Sequence, residues 1–301
     1  MPTKSHDVDT IEYAAVGDLF KHFGPSAAPV TVAFGALSHP GRVRSNNEDH
    51  YIVVQRRRAR TVLLTNLPGD LSDPVEDCVH LLAVADGMGG AAFGELASMT
   101  ALRQGFGLGR NAVNWVFKVT DEAIQELKAQ LEATVKLVHR ELRERGDADP
   151  SLAGMGTTLT GAYLIGLDAF VVHVGDCRAY LFREGAVRCL TRDHTLAREM
   201  NDAGLTGARS SMRNVLTNCL GGSAEDVDVD FSHCRLQDRD QLLFCTDGLS
   251  EMVPDEEIAT TLAQSTGPQE ACQALVDLAL EHGGKDNVTV VLASFTLARG
   301  D

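Results

Sequence analysis

The chain has no apolar run approaching the roughly 20 residues that span a bilayer as a helix, so membrane insertion is not expected. It has no excess of basic residues either. Lys and Arg number 27 against 42 Asp and Glu, a net charge of −15. A nucleic-acid surface needs the opposite balance, so no nucleic-acid partner is expected. The basic run Arg56-Arg57-Arg58-Ala59-Arg60 reads instead as a solvated face or strand edge. Cysteine pairs are missing: the seven Cys are odd in number and form no C-x-x-C. That argues against a disulfide framework and for reduced thiols in the cytoplasm. Residues 1–30 carry no basic, apolar and cleavage-site series, so no signal peptide is expected. There is no internal repeat, low-complexity tract or linker. The expectation is one domain over residues 31–301, preceded by an N-terminal extension over residues 1–30. At 44% hydrophobic and 23% charged residues, the composition is that of an ordinary globular protein.

The stretch with most to say is His80-Leu-Leu-Ala-Val-Ala-Asp86-Gly87-Met88-Gly89-Gly90. Its apolar run predicts a strand buried on both faces, ending at Asp86. The glycines that follow allow a tight turn or bring a backbone carbonyl close to a ligand. A helix is expected from Ala91 to about Gly105, with Phe93, Ala97 and Ala101 on one face. A second runs from Asp121 to Arg145, where Ile124, Leu127, Leu131, Val135, Val138 and Leu142 form an apolar stripe. Thr120 or Asp121 caps it and Gly146 ends it. Strands are expected at Thr31–Leu37, His50–Val54, Thr157–Ile165, Ala169–Val174, Ala179–Arg183, Val187–Leu190, Val227–Phe231, Gln241–Cys245 and Asn287–Phe295. Residues 55–78 read as a surface excursion, and residues 195–215 as a helix plus a mobile flap. Two further helices fall at Asp255–Ala263 and Pro268–His282. Strands in hairpin-like runs, with helices in separate pairs, argue against a doubly wound fold. They predict an α+β, four-layer α-β-β-α sandwich: two mainly antiparallel sheets face to face, with helix pairs outside.

The strand–Asp pattern repeats. Leu242-Leu-Phe-Cys-Thr-Asp247-Gly248 and Val172-His-Val-Gly-Asp176 end strands in Asp. Lys285-Asp286-Asn287 and Asn47-Glu48-Asp49 place carboxylates where strands begin. If these strand ends converge, the repulsion is relieved by protonation or by divalent cations held by oxygen ligands.

Six motifs occur in order over about residues 31–296: Arg44-x-x-Asn47-Glu48-Asp49, Ala85-Asp86-Gly87-Met88-Gly89-Gly90, Gly154-Met-Gly-Thr157-Thr158, Gly175-Asp176-x-Arg178, Thr246-Asp247-Gly248-Leu249 and Lys285-Asp286-Asn287-Val288-Thr289. Together they resemble the metal-dependent protein phosphatases, the type 2C serine/threonine phosphatases, in their bacterial form. The resemblance implies a β-sandwich with two divalent metal ions, Mn2+ or Mg2+, at one end of the sheets. It implies that Asp86 bridges the two, that Asp247 and Asp286 complete one shell, and that the Gly87 carbonyl serves the other. Glu48 or Asp49 would act there directly or through water. Asp176, with Asp247, would hold a third, weaker metal. Arg44 would bind the substrate phosphate, Asn287 would orient the neighbouring loop, and Thr157, Thr158 and Arg178 would be structural. Catalysis would rest on Arg44, Asp49 and Asp86, with a metal-bridging hydroxide attacking phosphorus directly. Some members have His where this chain has Met88, which cannot donate a proton. His194 is a nearby substitute by sequence alone, though a structural hydrogen bond suits it better. The implied substrates are phosphoserine and phosphothreonine proteins, targets of a Ser/Thr kinase, acted on by a monomeric cytoplasmic signalling enzyme.

Two rivals stand beside this reading. Cys177-Arg-Ala-Tyr-Leu-Phe-Arg183 satisfies the C-x5-R pattern of cysteine phosphatases, yet it alternates like a strand, and Asp176 would raise the thiol pKa. The other is a phosphatase-like module that binds without turnover; the complete Asp86, Asp247 and Asp286 set argues against it.

Overall fold

A computed structural model describes residues 30–58, 77–89, 93–112, 120–205 and 212–297. The expected N-terminal extension, the middle of the 55–78 excursion and the tip of the flap lie outside the described residues. The strands are β1 (Val30–His39), β2 (His50–Arg58), β3 (Asp77–Ala85), β4 (Gly87–Met88), β5 (Gly156–Thr157), β6 (Leu159–Ile165), β7 (Asp168–Val174), β8 (Arg178–Arg183), β9 (Ala186–Cys189), β10 (Leu220–Gly221), β11 (Asp230–Arg235), β12 (Gln241–Cys245) and β13 (Val288–Leu297). The α-helices are α1 (Phe93–Ala112), α2 (Asp121–Ala148), α3 (Leu196–Asp202), α4 (Asp247–Ser250), α5 (Asp255–Gln264) and α6 (Pro268–Glu281).

Among the described residues, one five-stranded sheet runs β1-β13-β12-β8-β9 and the other β11-β7-β6-β3-β2, with every pairing antiparallel. A small sheet, β10-β5-β4, stands beside them. Leu82, Val84, Ala162, Leu164, Leu242, Phe244, Val291 and Phe295 fill the space between the two large sheets. The outer face of the second sheet is covered by the α2 stripe, with Ala97 and Ala101 of α1, packed on Tyr163, Phe170 and Val172. The outer face of the first carries Ile258 and Leu262 of α5 and Cys272, Leu275 and Val276 of α6. The four-layer α-β-β-α arrangement is therefore as expected. A small apolar cavity of about 60 Å³ lies between the second sheet and α1 and α2, lined by Leu81, Ala101, Leu131 and Val135 among others, and it holds none of the candidate site residues.

Several boundaries differ from the sequence reading. α1 continues through Gly105 and α2 through Gly146. Each glycine costs a helix about 1 kcal/mol, which packing along the rest of the helix outweighs. Thr120 caps α2, its side chain accepting from the Ala123 N–H at 3.2 Å. The segment 157–165 divides into β5 and β6 because Thr158 leaves the ladder to bind Asp86. The expected strand at Val227–Phe231 forms later, at Asp230–Arg235, since Val227 packs into the α2 core instead of pairing. Residues 55–58 and 77–78 extend β2 and β3 rather than leaving the sheet.

Antiparallel pairing decides where the acidic residues go. His50 at the start of β2 faces Ala85 at the end of β3, and Cys245 at the end of β12 faces Arg178 at the start of β8 and Val290 near the start of β13. The loop before β2, the turns after β3 and β12 and the turn before β13 therefore open at one end of the sandwich.

Candidate active site

A cavity of about 600 Å³ occupies that end, lined by Arg44, Glu48, Asp86, Gly87, Asp176, Asp247 and Asp286 together with Met88, Thr158 and the 214–216 segment. Six of the seven residues expected to bind metal thus share one cavity. Asp49 does not line it: it is buried behind the wall at 4% exposure, where its Oδ2 accepts from Thr246 Oγ1 at 2.8 Å.

Asp86 and Glu48 are held by their backbone. The Asp86 N–H donates to Thr158 Oγ1 at 2.9 Å. The Asp86 carbonyl accepts from Thr158 N–H at 2.9 Å and from Thr157 Oγ1 at 2.7 Å. Asn287 ties the entrance loop: its Nδ2 donates to the carbonyls of Pro40 and Asn46 at 3.0 and 2.8 Å, and its Oδ1 accepts from Glu48 N–H at 2.8 Å. The turn at Gly87 is pressed against α1, so a Cβ there would overlap the Gly94 carbonyl. A Cβ on Gly94 would in turn lie 2.5 Å from Glu48 Oε2. Ser98, one turn further along α1, donates to the Glu48 carbonyl at 2.6 Å. At the rim, exposed Arg44 donates through Nη2 to Asp286 Oδ2 at 2.6 Å.

The electrostatics are those of crowded like charge. Burial raises the Asp86 carboxyl well above its usual range, and Asp49, Asp247, Asp176 and Asp286 add to the rise. Burial, then Asp247, raises Asp176 likewise. Asp49 is pushed up to about 7 by burial, against the hydrogen bond from Thr246. Asp247 is also pushed up to about 7 by burial, with Asp286 and Glu251 adding to it. Burial raises Glu48 too, and the Arg44 charge opposes it.

Among the described residues, no three His, Cys, Asp or Glu side chains are already gathered into a set that could hold an ion. The residues fit a hard divalent cation nonetheless. Asp49 Oδ1 and Asp247 Oδ1 are buried oxygens without a hydrogen-bond partner. The donors are carboxylate oxygens with an accessible carbonyl, the ligand set such cations take, and a cation would offset the burial and mutual repulsion that raise Asp86, Asp176 and Asp247.

Other sequence candidates lie elsewhere. Arg178 forms a fork with both oxygens of Asp193 at 2.9 and 2.7 Å and is structural. Cys177 is fully buried, and burial, with Asp86 and Asp176, raises its thiol well above the usual range. Arg183 sits at the far end of β8, paired with Asp240. No phosphate loop can form from those two, which removes the cysteine-phosphatase reading. Sequence reasoning missed Gly94 and Ser98, and it placed Thr246 in a motif without its bond to Asp49. Gly94-x3-Ser98, small residues one helical turn apart, carries the sequence signal of a close-packed helix face.

A protein phosphatase 2C family profile matches residues 73–280. The serine/threonine phosphatase stp of Listeria innocua is 30% identical over 263 residues, covering 85% of this chain and 93% of that one. The serine/threonine protein phosphatase PstP of Mycobacterium tuberculosis is 33% identical over 268 residues, or 88% of this chain, which spans only 45% of PstP. The solved catalytic domain of PstP in complex with two manganese ions superposes with a TM-score of 0.68 at 31% identity, covering 89% of this chain and all of that domain. With the profile spanning most of the chain and the fold shared, the chain belongs to the protein phosphatase 2C family.

Proposed function

We propose that the protein is a metal-dependent phosphomonoester hydrolase that removes phosphate from phosphoserine and phosphothreonine in proteins. One observation carries the reading: carboxylates from separate loops meet in one cavity, with buried, partnerless oxygens on Asp247 in its lining and on Asp49 behind its wall. In this reading Glu48, Asp86, Asp247, Asp286 and the Gly87 carbonyl hold two divalent cations, Mn2+ or Mg2+, with Asp86 serving both. Asp176 and Asp247 hold a third more weakly. Asp49 acts from behind the wall, through water and through Thr246. Bound there, such cations lower the pKa of water toward neutrality and offset charge on the phosphoryl group.

The chain's own residues supply position and selectivity. Arg44 binds two phosphate oxygens through its planar fork. Thr157 and Thr158 hold Asp86 by its backbone, and Asn287 holds Glu48. Met88 faces the cavity without a proton to give, and His194 is fully engaged in other hydrogen bonds, so protonation of the leaving seryl or threonyl oxygen falls to water. The substrates this reading implies are cytoplasmic phosphoproteins made by a Ser/Thr kinase.

A phosphothreonine peptide incubated with the protein and Mn2+ tests the assignment. Expected are Mn2+-dependent phosphate release, its loss on chelation, a drop of at least 100-fold in Asp86→Asn, and no effect of thiol alkylation. No release, with Asp86→Asn matching the unmodified protein, would establish a binding module without turnover.

A further inference from the structure

His194 is singled out by the sequence and left unused by the chemistry above. It precedes α3, is 7% exposed, and has a partner on every polar atom. Its N–H donates to the Gly175 carbonyl at 2.7 Å, and its carbonyl accepts from Thr217 N–H at 2.9 Å. Its Nδ1 faces two donors, the Gly175 N–H at 3.1 Å and Asn218 Nδ2 at 2.9 Å. Nδ1 therefore carries the lone pair and Nε2 the proton, which Nε2 donates to Asp230 Oδ2 at 3.1 Å. The Asn218 amide is itself fixed, donating to the Asp228 carbonyl at 2.8 Å and accepting from Asp228 N–H at 3.3 Å.

Both sides of this junction reach the cavity. Gly175, at φ +109°, is pressed on Thr158, where a Cβ would lie 2.5 Å from Cγ2. Thr158 holds Asp86, and Asp176 follows Gly175 directly. On the other side, Thr195 bridges Leu216, and Leu196 N–H donates to the Val215 carbonyl at 2.9 Å. Asn214, Val215 and Leu216 line the same cavity as Asp176.

We propose that His194 is a positioning residue whose Nδ1 lone pair clasps the Gly175–Asp176 corner to the 214–218 wall, setting where Asp176 stands relative to that wall. The inference rests on the phosphatase reading for its activity readout and is independent of it for its structural one. Partners that orient groups at a metal centre typically change metal affinity or activity 10- to 100-fold when removed.

Two isosteric variants of the full chain separate the arms of the imidazole. Asn carries an oxygen where His carries Nδ1; Gln carries an N–H where His carries Nε2. In metal-free protein, His194→Asn is expected to keep hydrogen-exchange protection at the Gly175 amide within about threefold, and His194→Gln to lose it by about tenfold or more. In titrations with Mn2+ alone, the half-saturating concentration is expected to rise about 10-fold or more in His194→Gln and to stay near the unmodified value in His194→Asn. Equal behaviour of the two variants in both measurements overturns the proposal. So does loss of kcat in both, with loss of the alkaline limb of the pH profile, which would mark His194 as a general acid. If His194→Gln does not fold, Asn218→Ala decides. It keeps the imidazole and is expected to speed exchange at Thr217 while sparing Gly175; unchanged exchange at Thr217 overturns the clasp. Should the unmodified protein hydrolyse no phosphopeptide, the phosphatase reading fails, and the exchange contrast still decides the clasp.

Discussion

Asn287 holds the cavity's entrance with three hydrogen bonds that no single other side chain can replace. It receives one N–H and fills two carbonyls, all on the segment that leads into Glu48. Asn287→Ala removes all three at about 1 kcal/mol each, so a loss of about 3 kcal/mol is expected in urea denaturation. Asn287→Asp is expected to be at least as damaging, because it aims a carboxylate at two carbonyl oxygens. The sequence made Asp86, Asp176 and Asp247 legible because an apolar strand ending in Asp leaves that carboxylate at a sheet end. Asp49 was legible as an acid but not as a buried one. Its place behind the wall depends on Thr246, a partner 197 residues away, and no local pattern encodes such a pairing.

At the scale of elements, α1 is the piece that seats the Asp86–Gly87 turn. Gly94 lets the helix approach until its backbone touches Gly87, and Ser98 then reaches the Glu48 carbonyl. Gly94→Ala improves helix propensity by about 1 kcal/mol, yet its methyl would lie 2.8 Å from the Gly87 carbonyl carbon. The expected outcome is a helix pushed off its seat, with the Mn2+ concentration for half-maximal turnover raised at least tenfold and the circular dichroism unchanged. Normal metal dependence in Gly94→Ala would mean that the turn does not need this contact. The helices themselves were legible from their stripes, α2 above all, because burial on one face imposes a period of about 3.6 residues. Their ends were less so. Gly105 and Gly146 look like stops, but α1 and α2 run through them, and the packing of each helix ahead of its glycine outweighs a local penalty of that size. β5 and β6 were read as one strand because Thr158 has good strand propensity; its role in holding Asp86 breaks the ladder there.

For the molecule as a whole, the acidic cavity couples folding to pH and to metal. Burial raises Asp49 and Asp247 to about 7, above the unfolded value near 4. Their protonated forms stabilise the metal-free fold at low pH, and that contribution is lost as pH rises through about 7. Buried histidines act with the opposite sign. Burial lowers His50, His80, His139 and His173, the last to about 4, so they cost stability as pH falls below about 6.5. The two sets oppose each other in any single melting curve. They separate in a difference, since none of these histidines lines the cavity and their effect is common to metal-free and metal-loaded protein. Cations must displace protons from Asp49 and Asp247 at pH 6 but meet these two ionised at pH 8. One proton displaced from each of two carboxyls is worth about 1.4 kcal/mol apiece, and 1 kcal/mol shifts the melting temperature of a larger domain by about 2–4 °C. The rise in melting temperature on adding a fixed excess of Mn2+ is therefore expected to be larger at pH 8 than at pH 6 by on the order of 5 °C or more. A rise that is the same at both values would mean that the ion binds without discharging these carboxyls, so the buried pair Asp49 and Asp247 would not be what the cation neutralises.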